Sequence, residues 1–557
     1  MGHGHPHPAP EQDEAGADVP PALDPSVPDG ELPPADASRR RFLRGAGLLG
    51  AGAASTVLAA APEDPAGADA KGGFRWLAGD HHVHTQYSRD GQYRVIDHAR
   101  HARACGLDWM VVTDHGDPAH AKIGVEKVNP DIVAARRRLK DLLIYQGLEW
   151  NCPAAEHATV FVHPGRNEVA VLKEFENAYD GEVKNATGST PANEALAIAG
   201  IKFLGEQVRR RRVRDALFLA NHPARRGVDS PHEIRAWRDA DPHVAIGMES
   251  APGHQAAGLP ESTWRYKARG LYFLNRTDAS FPGYPPESYR TWGGFDWMTS
   301  TVGGLWDSLL AEGKPWWITA NSDSHIVYLD TSQRGPGGDF DRDGKHPDPV
   351  YGPPRTDGFD YWPGQYTRTH VGATSFGYRA VMAGLRAGRV WVDHGGLISG
   401  LDVRARQAGD RRGGHGTPLG GVLRVRRGAS VAATIEIELA ATPNWAQFVP
   451  RLARVDVISG QVTGPVTDRD TFTAPTARVV RSFEVGKATG RVSFTHSFGR
   501  VDEPFYFRVR GTDGKRSAPG PMGADVDPFG PAMDVYGNAD PWEDLWFYAN
   551  PIWVLPS

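Results

Sequence analysis

The sequence predicts an α/β fold in which parallel strands and helices alternate over residues 74–400 and close into a barrel, followed by a smaller β-sandwich-like domain over 401–557. Three observations lead to this. From about Phe74 to Ile398, apolar runs of strand length end in clusters of polar residues and are followed by helical stretches. That alternation implies a parallel sheet, and about seven or eight such units close a barrel. From about Leu401 the helical spacing stops, leaving alternating runs separated by Gly, Pro and Asp turns, which fits a sandwich of about 150 residues. Finally, 557 residues at 40% hydrophobic and 10% aromatic are enough to bury more than one core.

Residues 1–37 are rich in Pro, Asp, Glu, Gly and Ala and nearly lack large apolar residues, so they are read as a disordered N-terminal region. The opening "HGHPH" is read as a flexible or cloned tract in preference to a metal ligand set. Residues 38–61 carry Arg39 and Arg40 ahead of a short, mildly apolar Gly/Ala/Leu run that ends in small residues. This resembles a twin-arginine signal peptide, with cleavage expected near Ala59–Ala61. The run is too short and too rich in Gly and Ala for a stable membrane span. The expected partner is therefore the twin-arginine export machinery, and the expected location is secreted, periplasmic or cell-wall associated. Residues 62–73 are a linker, and the mean hydropathy of -0.45 suits a soluble mature chain.

The strand-like runs are "FRWLAG", "DWMVV", "LLIYQGL", "TVFV", "ALFLA", "VAIGM", "LYFL" and "PWWITA". Arg94 to Cys105, Val125 to Lys140 and Val302 to Glu312 are the amphipathic stretches between them. Beyond Leu401, "SVAATIEIELAA", "LARVDVIS", "ARVVRSFEV", "GRVSFTHSF" and "PFYFRVRGTD" alternate as strands. The tail "AMDVYGNADPWEDLWFYANPIWVLPS" is too aromatic for a disordered end and is expected to pack on the body.

A net charge of -5 with scattered basic residues gives no electrostatic footprint for nucleic acid, so none is expected as an obligate partner. The only cysteines, Cys105 and Cys152, exclude a disulfide framework and a cysteine-built zinc site; one bridge between them stays open.

The chemistry concentrates at strand ends. In "GDHHVHTQYSRDG", residues 79–91, alternation puts Asp80, His82 and His84 on one face and His81 on the other. The other runs end in Asp114 and His115, in Glu149, in His222, and in Asp323 and His325. In a parallel barrel these ends emerge on one rim, where loops build the site. His157 begins "HATVFV" and joins them if that run pairs antiparallel. Nitrogen and oxygen donors without thiolate suit zinc, manganese or iron, and mixed sets of this kind commonly hold more than one ion.

"DHHVHT", "TDHG", "GLEW", His157, "NHP" and "NSDSH", in that order, resemble the PHP family, named for its polymerase-associated and histidinol phosphatase members. The resemblance spans roughly residues 76–400, and "LWDSLLAEGKPWWITANSDSH" followed by "GRVWVDHGGLI" is similar to its secreted, carbaryl hydrolase-like branch. It implies a distorted (β/α)7 barrel with two or three divalent metal ions (zinc, manganese or iron). By motif, His82, His84 and Asp323 would bind one ion, and Glu149 would bridge to a second held by His157 and His222. His115, His325 and Asp90, six positions after His84, would bind a third. Asp114 would orient a ligand imidazole or cap a helix. The implied activity is metal-dependent hydrolysis of a phosphomonoester or phosphodiester, with a metal-bound water as nucleophile and a small-molecule ester as substrate.

Arg225 and Arg226, just after "NHPA", are candidates to grip a phosphate, with a solvated surface pair as the alternative. Asp339, Asp341 and Asp343 followed by Gly344 have calcium-loop spacing, but Val350 stands where the distal glutamate is needed. An exposed polar turn is favoured there over calcium. The loop lies in a long insertion, Ile326 to Thr367, directly after the ligands, whose Tyr361, Trp362 and Tyr366 either face substrate or anchor the loop. Two alternative functions stay open: hydrolysis of a carboxylic ester, carbamate or amide at the same centre, and a cell-wall or partner-binding protein with an inactive barrel.

Overall fold

The computed structural model describes residues 73–264, 269–272, 276–409, 416–515 and 540–557. The N-terminal tract, the export-like segment and its Arg39 and Arg40 lie outside the described residues. Asp64–Ser557 form one compact unit. No described helix is long and apolar enough to cross a membrane.

The first strands are β1 (Arg75–Asp80), β2 (Trp109–Val112), β3 (Leu143–Asn151), β4 (His157–Val162), β5 (Ala216–Ala220), β6 (Ala245–Ala251) and β7 (Trp317–Ala320). Their order in the sheet is their order in the chain. β1, β2 and β3 pair in parallel, as do β5, β6 and β7. β4 runs antiparallel to both neighbours, with Asn151 opposite His157 and Ala158 opposite Ala220. The reversal brings His157, the first residue of β4, to the rim where the other strands end.

Residues of β2, β3, β5, β6 and β7 are buried throughout, which explains their unbroken apolar runs. Val95, Ala99 and Ala102 of the helix Val95–Ala104 share a core with Val128, Ile132 and Ala135 of the helix His120–Arg138, at spacings of three and four residues. Met110, Val112 and Ile144 of β2 and β3 lie beneath them. The helix His120–Arg138 starts ahead of the expected Val125 and runs through Pro130. Its first turn is fixed by Asp117, which accepts hydrogen bonds from the Ala119 and His120 amides. Local signals start other helices too. Thr190 and Pro191 begin Pro191–Arg209, and Ser230 with Glu233 forms a capping box for Pro231–Ala240.

β1 also pairs antiparallel with the strand Thr367–Ala373, which pairs with Val390–His394. The hydroxyl of Thr369 accepts from the Ala320 amide at 2.9 Å and donates to the Ala320 carbonyl at 2.7 Å, tying β7 back to this strand.

The C-terminal region is β-rich, as expected. Ile398–Gln407, Ala429–Leu439 and Arg491–Val501 form one sheet. Their Val403, Val431, Ala433, Ile435 and Ile437 share a core with Val455, Val457, Phe507 and Val509 of the facing strands Arg454–Gln461 and Phe505–Thr512. The aromatic tail packs back: Trp546–Ala549 inserts between Val390–His394 and Phe505–Thr512. One sheet therefore runs from the C-terminal region into β1, across the position near residue 400 where the sequence pattern changes.

One expected strand is not seen among the described residues. At "LYFL", Arg269–Leu271 is a short 3-10 turn in which Gly270 and Leu271 have φ of 70° and 58°. Residues 273–275 lie outside the described residues. Consecutive left-handed residues break an extended run.

Candidate metal centre

The rim at the ends of β1, β2, β3, β5, β6 and β7 and the start of β4 gathers every expected ligand. The segment after β1 is held against the one after β7. Asp80 accepts from the His82 and Ser322 amides, the His84 amide donates to the Ser324 carbonyl at 3.1 Å, and Val83 bridges Ser324. This register aims His82 and His84 at Asp323. His81 turns the other way and meets the hydroxyls of Thr159 and Thr319 at 3.1 and 2.7 Å.

Glu149 is the hub. Its Oε1 lies 3.0 Å from His82 Nε2, 3.1 Å from His157 Nδ1 and 3.1 Å from His222 Nε2. Its Oε2 lies 3.2 Å from His84 Nε2 and 3.1 Å from His115 Nδ1. Asp323 Oδ1 faces His82 Nε2 at 3.0 Å, His84 Nε2 at 3.2 Å and His325 Nδ1 at 3.5 Å. Asp90 Oδ2 faces His115 Nε2 at 3.0 Å and His325 Nε2 at 3.4 Å. His82, His84, Glu149 and Asp323 form one group able to hold an ion; His115, Glu149 and His157 form another, and His84, Asp90, His115 and His325 a third.

The donors fit a divalent cation. His84 Nε2 and Asp323 Oδ1 are buried without a hydrogen-bond partner, which in a folded core is costly unless a cation takes that place. All donors are nitrogen or oxygen; Cys105 and Cys152 are buried, form no disulfide and belong to none of these groups.

The carboxylates and imidazoles of the centre shift one another's titration. Burial alone would raise the Glu149 carboxyl, but His82, His157 and His115 hold it well below the usual range. Burial would lower His115 and His325; Asp90 with Glu149, and Asp90 with Asp323, push them up to about 9 and about 10. His222 goes the other way, down to about 3, through burial and the nearby Arg225 charge, and stays a neutral donor. His222, His254 and Asp323 all have left-handed backbones, with φ of 29°, 59° and 47°. Such strain in residues with side chains clusters where function demands it.

Other expected residues have different roles. Asp114 neither touches a ligand imidazole nor caps a helix: its carboxylate accepts from the Thr85 amide at 2.6 Å and from the Thr85 hydroxyl, fixing the turn after His84. Arg225 and Arg226 converge on Glu156, at 3.6 and 3.4 Å, with Arg225 mostly buried beside the centre and Arg226 half exposed. The aspartates of the proposed calcium turn go to separate partners. Asp339 caps the short helix Phe340–Asp343, Asp341 pairs with Arg89, and Asp343 pairs with Arg342. A turn closed by its own caps and by arginines leaves no shared oxygen cage, so the calcium alternative is not supported among the described residues.

Within the insertion, Tyr361, Trp362 and Tyr366 are anchors. Tyr366 stacks with Tyr361, accepts from Arg269 and donates to the Pro541 carbonyl, while Trp362 stacks on His101 with ring centres 3.7 Å apart. The insertion instead presents Phe359, half-buried, whose ring lies 4.9 Å from that of His254 and 5.6 Å from that of Trp264.

Three site residues escaped the sequence reading. Glu249 ends β6 and holds His82 Nδ1 at 2.8 Å. His254 follows β6 and places Nε2 2.8 Å from Asp323 Oδ2. Asp360 holds His254 Nδ1 at 2.5 Å. The strand-end rule that found the other ligands applies equally to "VAIGMESAPGH" and would have found Glu249 and His254. Asp360 has no local signal.

Residues 80–189 match the family model described as the PHP domain. A solved structure from Bacteroides vulgatus, described as a two-domain protein containing a predicted PHP-like metal-dependent phosphoesterase, is similar at 13% identity. The match covers 78% of this chain and 91% of that one, with a TM-score of 0.31. No curated protein matches the chain.

Proposed function

We propose that this chain is an exported metal-dependent hydrolase of phosphate esters, acting on a phosphomonoester or phosphodiester. The observation that carries the reading is Glu149, a single buried carboxylate faced by five imidazoles from three strand ends and the start of β4. That is the arrangement of a bridging ligand between cations. On this reading β1 to β7, with β4 reversed, are the strands of a distorted (β/α)7 barrel, and the chain resembles the secreted branch of the PHP family.

His82, His84, Glu149 and Asp323 would hold one ion; Glu149, His157 and His222 a second; His115, His325 and Asp90 a third. Zinc, manganese or iron bound there would lower the pKa of a water and offset the negative charge that grows on the substrate during hydrolysis. The chain's own groups do the rest. Glu249 fixes the His82 tautomer by accepting from Nδ1. Arg225, mostly buried next to His222 and paired only at 3.6 Å, is positioned to turn a guanidinium edge to a phosphoryl oxygen. The half-buried Phe359 packs its ring edge-to-face with His254.

Phe359 and Trp264 also support a second reading, hydrolysis of an aryl ester or carbamate, because aromatic walls stack aryl groups. Export rests on the Arg39–Arg40 segment alone. Nitrophenol release by the purified chain from matched nitrophenyl phosphate, phosphodiester, acetate and carbamate, with added zinc or manganese, tests the assignment. Turnover of the phosphate esters that a chelator stops is the expected result; turnover of acetate or carbamate alone replaces the first reading with the second.

A further inference from the structure

His254 is held at both ring nitrogens in the way of a ligand that the proposed centre already needs. His82 points Nε2 at Glu149 and Asp323 while Nδ1 is held by the buried carboxylate of Glu249. His254 points Nε2 at Asp323 Oδ2, at 2.8 Å, while Nδ1 is held by the buried carboxylate of Asp360. Asp360 is itself fixed, since its Oδ2 accepts from the Ile326 amide at 2.8 Å and from the His325 amide. A histidine whose far nitrogen is locked by an oriented carboxylate is the usual form of a metal-ligating imidazole. His254, Asp323 and His325 lie close enough to hold an ion together, and all are buried.

Asp323 has two distinct sides. Oδ1 faces His82, His84 and His325 and has no hydrogen-bond partner, whereas Oδ2 faces His254. A hydrogen bond to one oxygen would suit a carboxylate that serves a single ion. Imidazoles at both oxygens suit one that spans two positions, as Glu149 does.

We propose that His254 is a further metal ligand, completing with Asp323 and His325 a divalent-cation position on the β6 side of the centre, and that Asp360 orients it. The inference rests on the metal reading above and extends it to residues outside the resemblance motifs. The aromatic pair Phe359 and Trp264 flanks this position, so a substrate bound there would meet the cation from the ring side.

The test is a cobalt(II) titration of the full chain, followed by visible absorption, with metal content measured after desalting. The variants are His254→Gln, Asp360→Asn and His82→Ala. Glutamine keeps an N–H for Asp323 but is a poor ligand, which separates coordination from a mere hydrogen bond. The expected result is one fewer tightly bound cobalt per chain in His254→Gln than in the unmodified chain. Asp360→Asn should weaken that same equivalent about 10- to 100-fold. Unchanged stoichiometry and affinity in His254→Gln, with His82→Ala losing cobalt, overturns the His254 assignment and leaves the metal reading standing. Full cobalt retention in His82→Ala overturns both. Should His254→Gln not fold, Asp360→Asn decides: unmodified-chain affinity for every cobalt equivalent overturns the proposal.

Discussion

A buried imidazole is a usable ligand only when something fixes its ring. In this chain the fixing groups are as specific as the ligands: Glu249 for His82, Asp360 for His254, Ser88 for His84 and the Asp323 carbonyl for His325. Glu249→Gln keeps size and burial but turns an acceptor into an amide that is free to present its N–H to His82. It should lower metal affinity about 10- to 100-fold, read by competition against a chromogenic chelator; unchanged affinity would show that Glu249 does not tune the site. Every candidate ligand at a strand end was legible in the sequence because metal chemistry would require donors there and the strands themselves are recognisable. Asp360 was not, because it reaches the centre from the far end of a long insertion and only the folded loop puts it beside His254.

At the scale of elements, the loops behind the site depend on ordinary caps. Ser230 accepts from the Glu233 amide and Glu233 from the Ser230 amide, so Ser230→Ala should cost about 1 kcal/mol, measured by denaturant unfolding. Asp296 does more. It caps Trp297–Ser300 through the Met298 amide and accepts from Ala224, two residues past His222, and from the Tyr272 hydroxyl. Burial pushes its carboxyl up to about 7 from 3.8. Below pH 3.8 both folded and unfolded chains carry the proton. As pH rises the unfolded chain releases it first, so the contribution of this group to stability drains away up to about pH 7 and is then constant. In chelator-treated protein, Asp296→Asn should therefore flatten the fall of melting temperature between about pH 4 and 7. Identical slopes in the two chains would refute that account. The helix starts at Thr190 and Ser230 are visible in sequence because capping is local, whereas the Asp296 network joins residues far apart in the chain.

At the scale of the molecule, the two halves share one sheet and several buried ion pairs. Arg508 donates two bonds to Asp307 at 2.9 and 2.8 Å, and Tyr506 adds another, joining the strand Phe505–Thr512 to the helix Leu305–Ala311. Deleting residues 540–557 removes the strand Trp546–Ala549 and leaves Val390–His394 and Phe505–Thr512 with unpaired edges and an open apolar face. The shortened chain should lose cooperative unfolding and aggregate on size exclusion, including its N-terminal half. A soluble, cooperatively folding product would mean that the tail is dispensable. The change in periodicity near residue 400 marks a change of architecture, and the sequence pattern carries no sign that the two parts share a sheet.

The sequence by itself determined the alternation of strands and helices, the β-rich second part, and nine donors in the order the chain presents them. Each of these is written in local periodicity or in residue type at a strand end. Only the tertiary structure decided that Glu149 is the hub, that Asp114 braces a turn, and that the calcium-like aspartates disperse to arginines and caps. It alone also brought Asp360 into the site and carried the final strands into the main sheet. The physical reason is common to all of these: strand pairing and ion pairing act between residues tens to hundreds of positions apart, and local pattern does not record which distant partner a side chain will meet.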